Sequence, residues 1–166
     1  YSAEIVGALD KEVVVMNSLT VNLHLLMASF YRPKGKRKKI LIEQHAFPSD
    51  RHAVQSQLKF HNNNPKNDLI LLEPDHGENI SLKSIMNYLN KYGEEIALVL
   101  IGGVNYYSGQ AFDMASITDK AQNCGCHVGF DLAHAAGNLK LNLHNWGVDF
   151  SAWCGYKYLN GGPGAP

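Results

Sequence analysis

A chain of 166 residues with 45% hydrophobic and 18% charged residues carries enough apolar material for one packed core, and its composition excludes a disordered segment. No apolar run approaches the roughly 18 residues of a membrane span. The formal net charge is zero, so no overall basic or acidic field points to nucleic acid or a membrane surface.

The chain opens at Tyr1 in mid-pattern, without a basic and apolar leader, and ends at "GGPGAP"; both ends read as cuts in a longer protein. "EVVVM" (12–16) predicts a first strand, and "TVNLHLLMASFY" (20–31) has apolar residues at helical spacing. "RPKGKRKK" (32–39) follows. It holds six of the 15 basic residues and leaves nine against 15 acidic ones, a net of −6, over the rest. Without aromatics to stack on bases or regular helical spacing, this run reads as a solvated loop rather than a nucleic-acid patch. "ILIEQ" (40–44) is a second strand. Ser49 or Asp50 is placed to cap the helix "RHAVQSQLKF". "DLILLEP" is a third strand ended by Pro74. Ser81 is placed to cap "LKSIMNYLNKYG", with Gly93 as its stop. "IALVLIGG", "HVGFDL" and "VDFSAWC" are further strands, and "MASITDKAQNCG" is a helix. The three cysteines, Cys124, Cys126 and Cys154, read as reduced thiols in a cytosolic setting; Cys124-Gly-Cys126 is too tight for a zinc pair, and no metal site is expected.

Strands that are apolar throughout and alternate with helices predict an α/β fold: a mostly parallel open sheet with helices on both faces, three layers in all. In such sheets ligands bind beyond the carboxyl ends of the strands. "NSLT" lies there at a helix N-terminus, a ready anion site, although Thr20 could equally be only a cap. "HAFPSD" follows the second strand, with Phe47 either core or a stacking face. "GGVNYYSGQ" follows the fourth, where glycine lets backbone approach a ligand. "DLAHAAGN" brings Asp131 and His134, which could instead organise a helix start. "GYKYLNGGPG" brings Tyr156 and Lys157, whose stem could simply snorkel. Converging at one edge, an anion cradle, an aromatic, a carboxylate, an imidazole and an amine fit pyridoxal 5'-phosphate. The phosphate needs the cradle, the ring a face to stack on, the pyridine nitrogen a carboxylate, and the aldehyde an amine. The remaining histidines offer no metal triad. No GxxxxGK[ST], no GxGxxG after a strand and no GxSxG elbow is present.

The motifs "NSLTVNLHLLM", "EQHAFPSDRHAVQSQL", "GGVNYYSGQAFD", "FDLAHAAGN" and "WGVDFSAWCGYKYLNGGPG", in this order and spacing, resemble the kynureninases, fold-type-I pyridoxal-phosphate enzymes of the aspartate aminotransferase superfamily. The resemblance runs over essentially the whole chain. It implies that residues 1–166 are a middle piece, mostly the large cofactor-binding domain, without the preceding segment and the C-terminal small domain. It implies that Lys157 forms the Schiff base, that Asp131 pairs with the pyridinium nitrogen, and that His134 sits beside it at the ring. Tyr156 would bind the phosphate and serve as a candidate proton donor. Leu19 and Thr20 would hold the phosphate, and Phe47 would stack on the ring. Pro48, Ser49 and Asp50 would support the cofactor from the same loop. Gly102 departs from members that carry a hydroxyl there. The implied reaction is hydrolysis of L-kynurenine or its 3-hydroxy analogue to anthranilate (or 3-hydroxyanthranilate) and L-alanine, by a cytoplasmic homodimer with no nucleic-acid or membrane partner. A cysteine desulfurase-like or aminotransferase-like enzyme and a non-catalytic cofactor-binding fragment are the alternatives. The arginine for the substrate carboxylate and a tryptophan from the partner subunit would lie beyond Pro166, so the isolated piece is expected to be insoluble or inactive.

Overall fold

The computed structural model describes residues 1–162 of the chain. Five parallel strands, β1 (Lys39–Glu43), β2 (Leu69–Leu72), β3 (Ile96–Gly102), β4 (His127–Asp131) and β5 (Phe150–Ala152), form one sheet in the order β2-β1-β3-β4-β5. Their connections carry α3 (Pro48–Phe60), α4 (Pro65–Asp68), α5 (Leu82–Tyr92), α6 (Met114–Asn123) and α7 (Leu143–Trp146), while α1 (Ser2–Val6) and α2 (Leu19–Phe30) precede the sheet.

The strands are apolar on both faces because both faces are covered. Ile40, Ile42, Leu98 and Leu100 pack with Leu23 and Met27 of α2 and Ala53, Val54 and Leu58 of α3. Their neighbours in sequence, Leu41, Val99 and Ile101, point the other way, onto Ile85 and Leu89 of α5 and Ile117 and Ala121 of α6. The fold is therefore the expected three-layer α/β sandwich. β1 leads outward to β2, and the chain then returns to place β3 on the other side of β1. That reversal opens a crevice between the carboxyl ends of β1 and β3, the place where ligands bind in open parallel sheets.

Several local expectations need correction. Residues 12–16 form no strand: Asp10–Glu12 is a 3-10 turn, and Val14 and Val15 are 72% and 70% exposed. A strand exists only where a neighbour takes its backbone N–H and C=O groups, and none pairs with this stretch among the described residues. Ser18, not Thr20, is the N-cap of α2, so Thr20 sits inside the first turn. Phe47, not Ser49 or Asp50, is the N-cap of α3, because Pro48 takes the first helical position where its missing N–H costs nothing. The caps at Ser81, whose hydroxyl accepts from the Ser84 N–H, and at Gly93 are as expected. The last strand spans only Phe150–Ala152 of the apolar run 148–154. Pro163 and Gly164 of the glycine-rich exit lie outside the described residues.

The basic run is part of the fold. Lys36 pairs with Glu94, Lys38 with Asp68 at 3.3 Å and Lys39 with Glu95 at 2.7 Å. Arg37 donates to the carbonyls of Gly93, Ile96 and Cys124 at 2.8–2.9 Å, tying the end of α5, the start of β3 and the end of α6 together. Among the described residues, no helix is long and apolar enough to cross a membrane.

Candidate active site

A cavity of ≈ 400 Å³ opens at the β1/β3 crevice. It is lined by Leu19, Thr20, Phe47, Ser49, Asp50, Asp131, His134, Tyr156 and Lys157, nine of the ten residues singled out in the sequence. Pro48 does not line it; it is exposed at the start of α3.

Each wall follows from local structure. On one side α2 begins at Ser18, whose backbone is extended (φ −88°, ψ 159°) and whose side chain gives no cap. The N–H groups of Leu19 and Thr20 therefore have no acceptor among the described residues, and the helix presents positive partial charge toward the cavity. Opposite, β4 ends in Asp131, whose Oδ1 accepts the Ala133 N–H at 2.7 Å. That bond fixes the turn that carries His134. The His134 Nε2 lies 3.1 Å from the Lys157 Nζ. An ammonium only donates, so the imidazole accepts at Nε2 and carries its proton on Nδ1. Burial, and next the charge of Lys157, hold His134 below its ordinary pKa, partly opposed by Asp131. The same Nζ stands 5.7 Å from the centroid of the Phe47 ring, which packs edge-on against Tyr106 at 5.0 Å and 81°. Tyr158 meets His134 edge-on at 6.0 Å and packs rather than facing the cavity. Tyr156 is half exposed, and its phenol is raised chiefly by its interaction with the Cys154 sulfur.

The site is unusually rich in acid. Asp50 is buried and receives the Ser49 hydroxyl at 3.2 Å. Burial, then the charge of Asp131 and its proximity, drive the Asp50 pKa well up, to about 9. Glu43, the last residue of β1, is 4% exposed and accepts the Gly102 N–H at 3.0 Å. Burial pushes its pKa up to about 7, with Asp131 adding to the rise against the hydrogen bonds that lower it. None of the three carboxylates forms an ion pair among the described residues. Sequence reasoning missed Glu43, Ser18, Val104 and Tyr106 as cavity residues. A glutamate closing the apolar run of β1 was the available signal for the first, just as an aspartate, Asp131, closes β4.

The profile of the class-V aminotransferases matches residues 2–165. The chain belongs to the class-V aminotransferase family. It is 58% identical over 163 residues to the kynureninase of Flavobacterium johnsoniae, 59% over 164 residues to that of Koribacter versatilis and 52% over 162 residues to that of Homo sapiens. These matches cover 97–98% of this chain but only 35–39% of the relatives, so the chain spans little more than a third of their length. Among solved structures, a cysteine desulfurase from Thermococcus onnurineus superposes with a TM-score of 0.76 at 22% identity, covering 94% of this chain and 37% of that one. A cystine C–S lyase variant with glycine covalently linked to its PLP cofactor superposes with a TM-score of 0.78 at 18% identity, covering 96% and 40%. At such identities these two share the fold of this family member, an α/β sheet of the fold-type-I kind.

Proposed function

We propose that this chain is the greater part of the cofactor-binding large domain of a kynureninase. In this reading the whole protein uses pyridoxal 5'-phosphate to hydrolyse L-kynurenine, or its 3-hydroxy analogue, to anthranilate or 3-hydroxyanthranilate and L-alanine. It works as a cytoplasmic homodimer in tryptophan catabolism. The observation that carries the reading is the Lys157 amine, held by His134 above the Phe47 ring at the cavity that Asp131 also lines. The identity to kynureninases over 98% of the chain supports the choice of substrate.

The residues present fit the cofactor. A cavity with three buried carboxylates and, among the described residues, no cation paired to them suits a ring that carries positive charge on its nitrogen. The uncapped first turn of α2 suits a phosphate. Bound pyridoxal phosphate supplies an electron sink for the pair left when a bond to the substrate's α- or β-carbon is broken.

The chain's own residues divide the remaining work. Asp131, whose Oδ1 accepts the Ala133 N–H, would pair with the ring nitrogen and keep it protonated. Ser18, Leu19 and Thr20 at the first turn of α2 would hold the phosphate, and Tyr156, which lines the same cavity, would add a hydroxyl to it. Phe47 fixes the plane of the ring, Ser49 and Asp50 support that loop, and Pro48 sets its helical start. Lys157 takes and returns the proton at the substrate's α-carbon; its hydrogen bond to neutral His134 keeps the amine on the ring side of the cavity. Tyr156 is the proton donor to the departing carbon.

The test uses the full-length protein. Addition of pyridoxal phosphate should give a visible absorption band, borohydride should fix the label on Lys157, and kynurenine should yield fluorescent anthranilate. A label on another residue refutes the site. Turnover of cysteine without turnover of kynurenine would make this a desulfurase-like enzyme instead.

A further inference from the structure

Glu43 has no role in the chemistry above, yet it is the most deeply buried carboxylate facing the cavity. Its setting is specific. The Glu43 Oε1 accepts the Gly102 N–H at 3.0 Å, and the next N–H along, from Gly103, is given to the Asp131 carbonyl at 2.7 Å. Two consecutive amides at the end of β3 thus tie the end of β1 to the end of β4. Gly102 is also the residue that gives Glu43 its room: a Cβ there would lie 3.0 Å from the Glu43 Oε1.

We propose that Glu43 is a positioning residue of the cofactor site. It fixes the Gly102–Gly103 backbone between β1 and Asp131, and it shares the negative charge of the buried acid cluster, so that its ionisation sets how tightly the cavity holds a cationic ring. The inference rests on the pyridoxal-phosphate reading of the site.

The physical chain is short. Three carboxylates cannot all ionise in one buried cluster without a cation. Burial and Asp131 push Asp50 toward its neutral form, and the Asp131 Oδ1 accepts the Ala133 N–H. Glu43 is the remaining member, and its proton is near balance around neutral pH. A cation arriving beside Asp131 favours the ionised form of Glu43, so ring binding and loss of the Glu43 proton promote each other. An amide at this position still accepts the Gly102 N–H but cannot ionise.

The experiment measures the Kd of pyridoxal phosphate for the full-length apoprotein by its visible band, for wild type and Glu43→Gln, at several pH values from about 6 to about 8.5. The ratio of the two Kd values should stay within about twofold at the acid end and climb to about tenfold or more at the alkaline end, the size of a charge interaction of ~1.4 kcal/mol. A ratio that does not change with pH overturns the proposal, because a purely structural carboxylate would weaken binding equally throughout. Failure of Glu43→Gln to fold also overturns it, since the isosteric amide keeps the hydrogen bond and only the charge is lost. If wild type itself binds no pyridoxal phosphate, the functional reading has failed. If wild type binds it and turns over kynurenine while the ratio stays flat, only the role of Glu43 has.

Discussion

Replacing Glu43 by Gln should make the apoprotein more stable in alkali and leave it unchanged in acid. The side chain is buried, and its pKa rises from 4.5 to about 7, with burial the largest cause. A raised carboxyl pKa means that the folded state binds the proton more tightly than the unfolded state. Stability is therefore greatest below the unfolded value near 4.5 and falls as the pH rises to about 7, after which the loss is complete. At ~1.4 kcal/mol for each tenfold change in proton affinity, the loss amounts to about 3 kcal/mol. An amide is neutral like the protonated acid, so it escapes this loss while it still accepts the Gly102 N–H. The net expectation is a gain of about 3 kcal/mol near pH 8 and no change near pH 4.5, where the acid is as neutral as the amide. Urea unfolding of the full-length apoprotein at the two pH values reads it directly, as a midpoint that moves up only in alkali at unchanged slope. A variant less stable than wild type near pH 8, or a difference equal at both pH values, would refute the reasoning, for it would mean that the buried carboxylate is not strained by its surroundings.

Other sites give sharp expectations of a different kind. Lys157→Ala should abolish the borohydride-fixed label and lower turnover by ~10³-fold or more, read by mass mapping and anthranilate fluorescence. Phe47→Ala should raise the Kd of pyridoxal phosphate several-fold to about tenfold, the ~0.5–1.5 kcal/mol of an aromatic contact, with the fold kept by far-UV circular dichroism. Gly129→Ala in β4 should cost about 1–3 kcal/mol in urea unfolding, because its new methyl would collide with the Phe150 ring that crosses the strand there. Arg37→Ala should cost about 2–4 kcal/mol, since it strips donors from the Gly93, Ile96 and Cys124 carbonyls, and it should leave the Kd of pyridoxal phosphate unchanged.

The sheet was legible because its strands are apolar on both faces, a pattern that only burial between helix layers satisfies. The same reasoning failed at residues 12–16, where "EVVVM" has strand propensity but lacks a backbone partner among the described residues; propensity counts side chains, whereas pairing is a property of neighbours. Helix starts were misplaced by one to three residues wherever a hydroxyl stood near the true cap. At α3 the proline was the better guide, and at α2 the extended Ser18 was hidden behind a more familiar-looking Thr20. The basic run resisted interpretation for another reason. Its ion partners Glu94, Glu95 and Asp68 lie 30 or more residues away, so whether it is a binding patch or a brace depends on contacts that composition does not encode.

Legibility of the site followed one rule, and Glu43 marks its edge. Residues at and beyond the carboxyl ends of the strands stood out because ligands bind there in open parallel sheets and the side chains together fit one cofactor, whereas Glu43 looks like the polar end of an apolar run. In the fold it becomes the opposite: a buried acid that destabilises the apoprotein above neutral pH and sits in a cluster with Asp50 and Asp131. Such a cluster is costly to the empty protein, even with the Gly102 and Ala133 N–H groups donating to it. Hydrophobic residues of similar size at Glu43 and Asp50 would pack without desolvation cost, and among the described residues the Ala133 N–H is the only backbone donor to the Asp131 carboxylate. The cost makes sense only if a positive group arrives to offset it. The Lys157 amine does not fill that role, for it is turned to the neutral imidazole of His134 instead. Among the described residues the amine and the acids line one cavity without an ion pair between them, and a ligand with a cationic nitrogen at one end and an electrophilic carbon at the other would engage both.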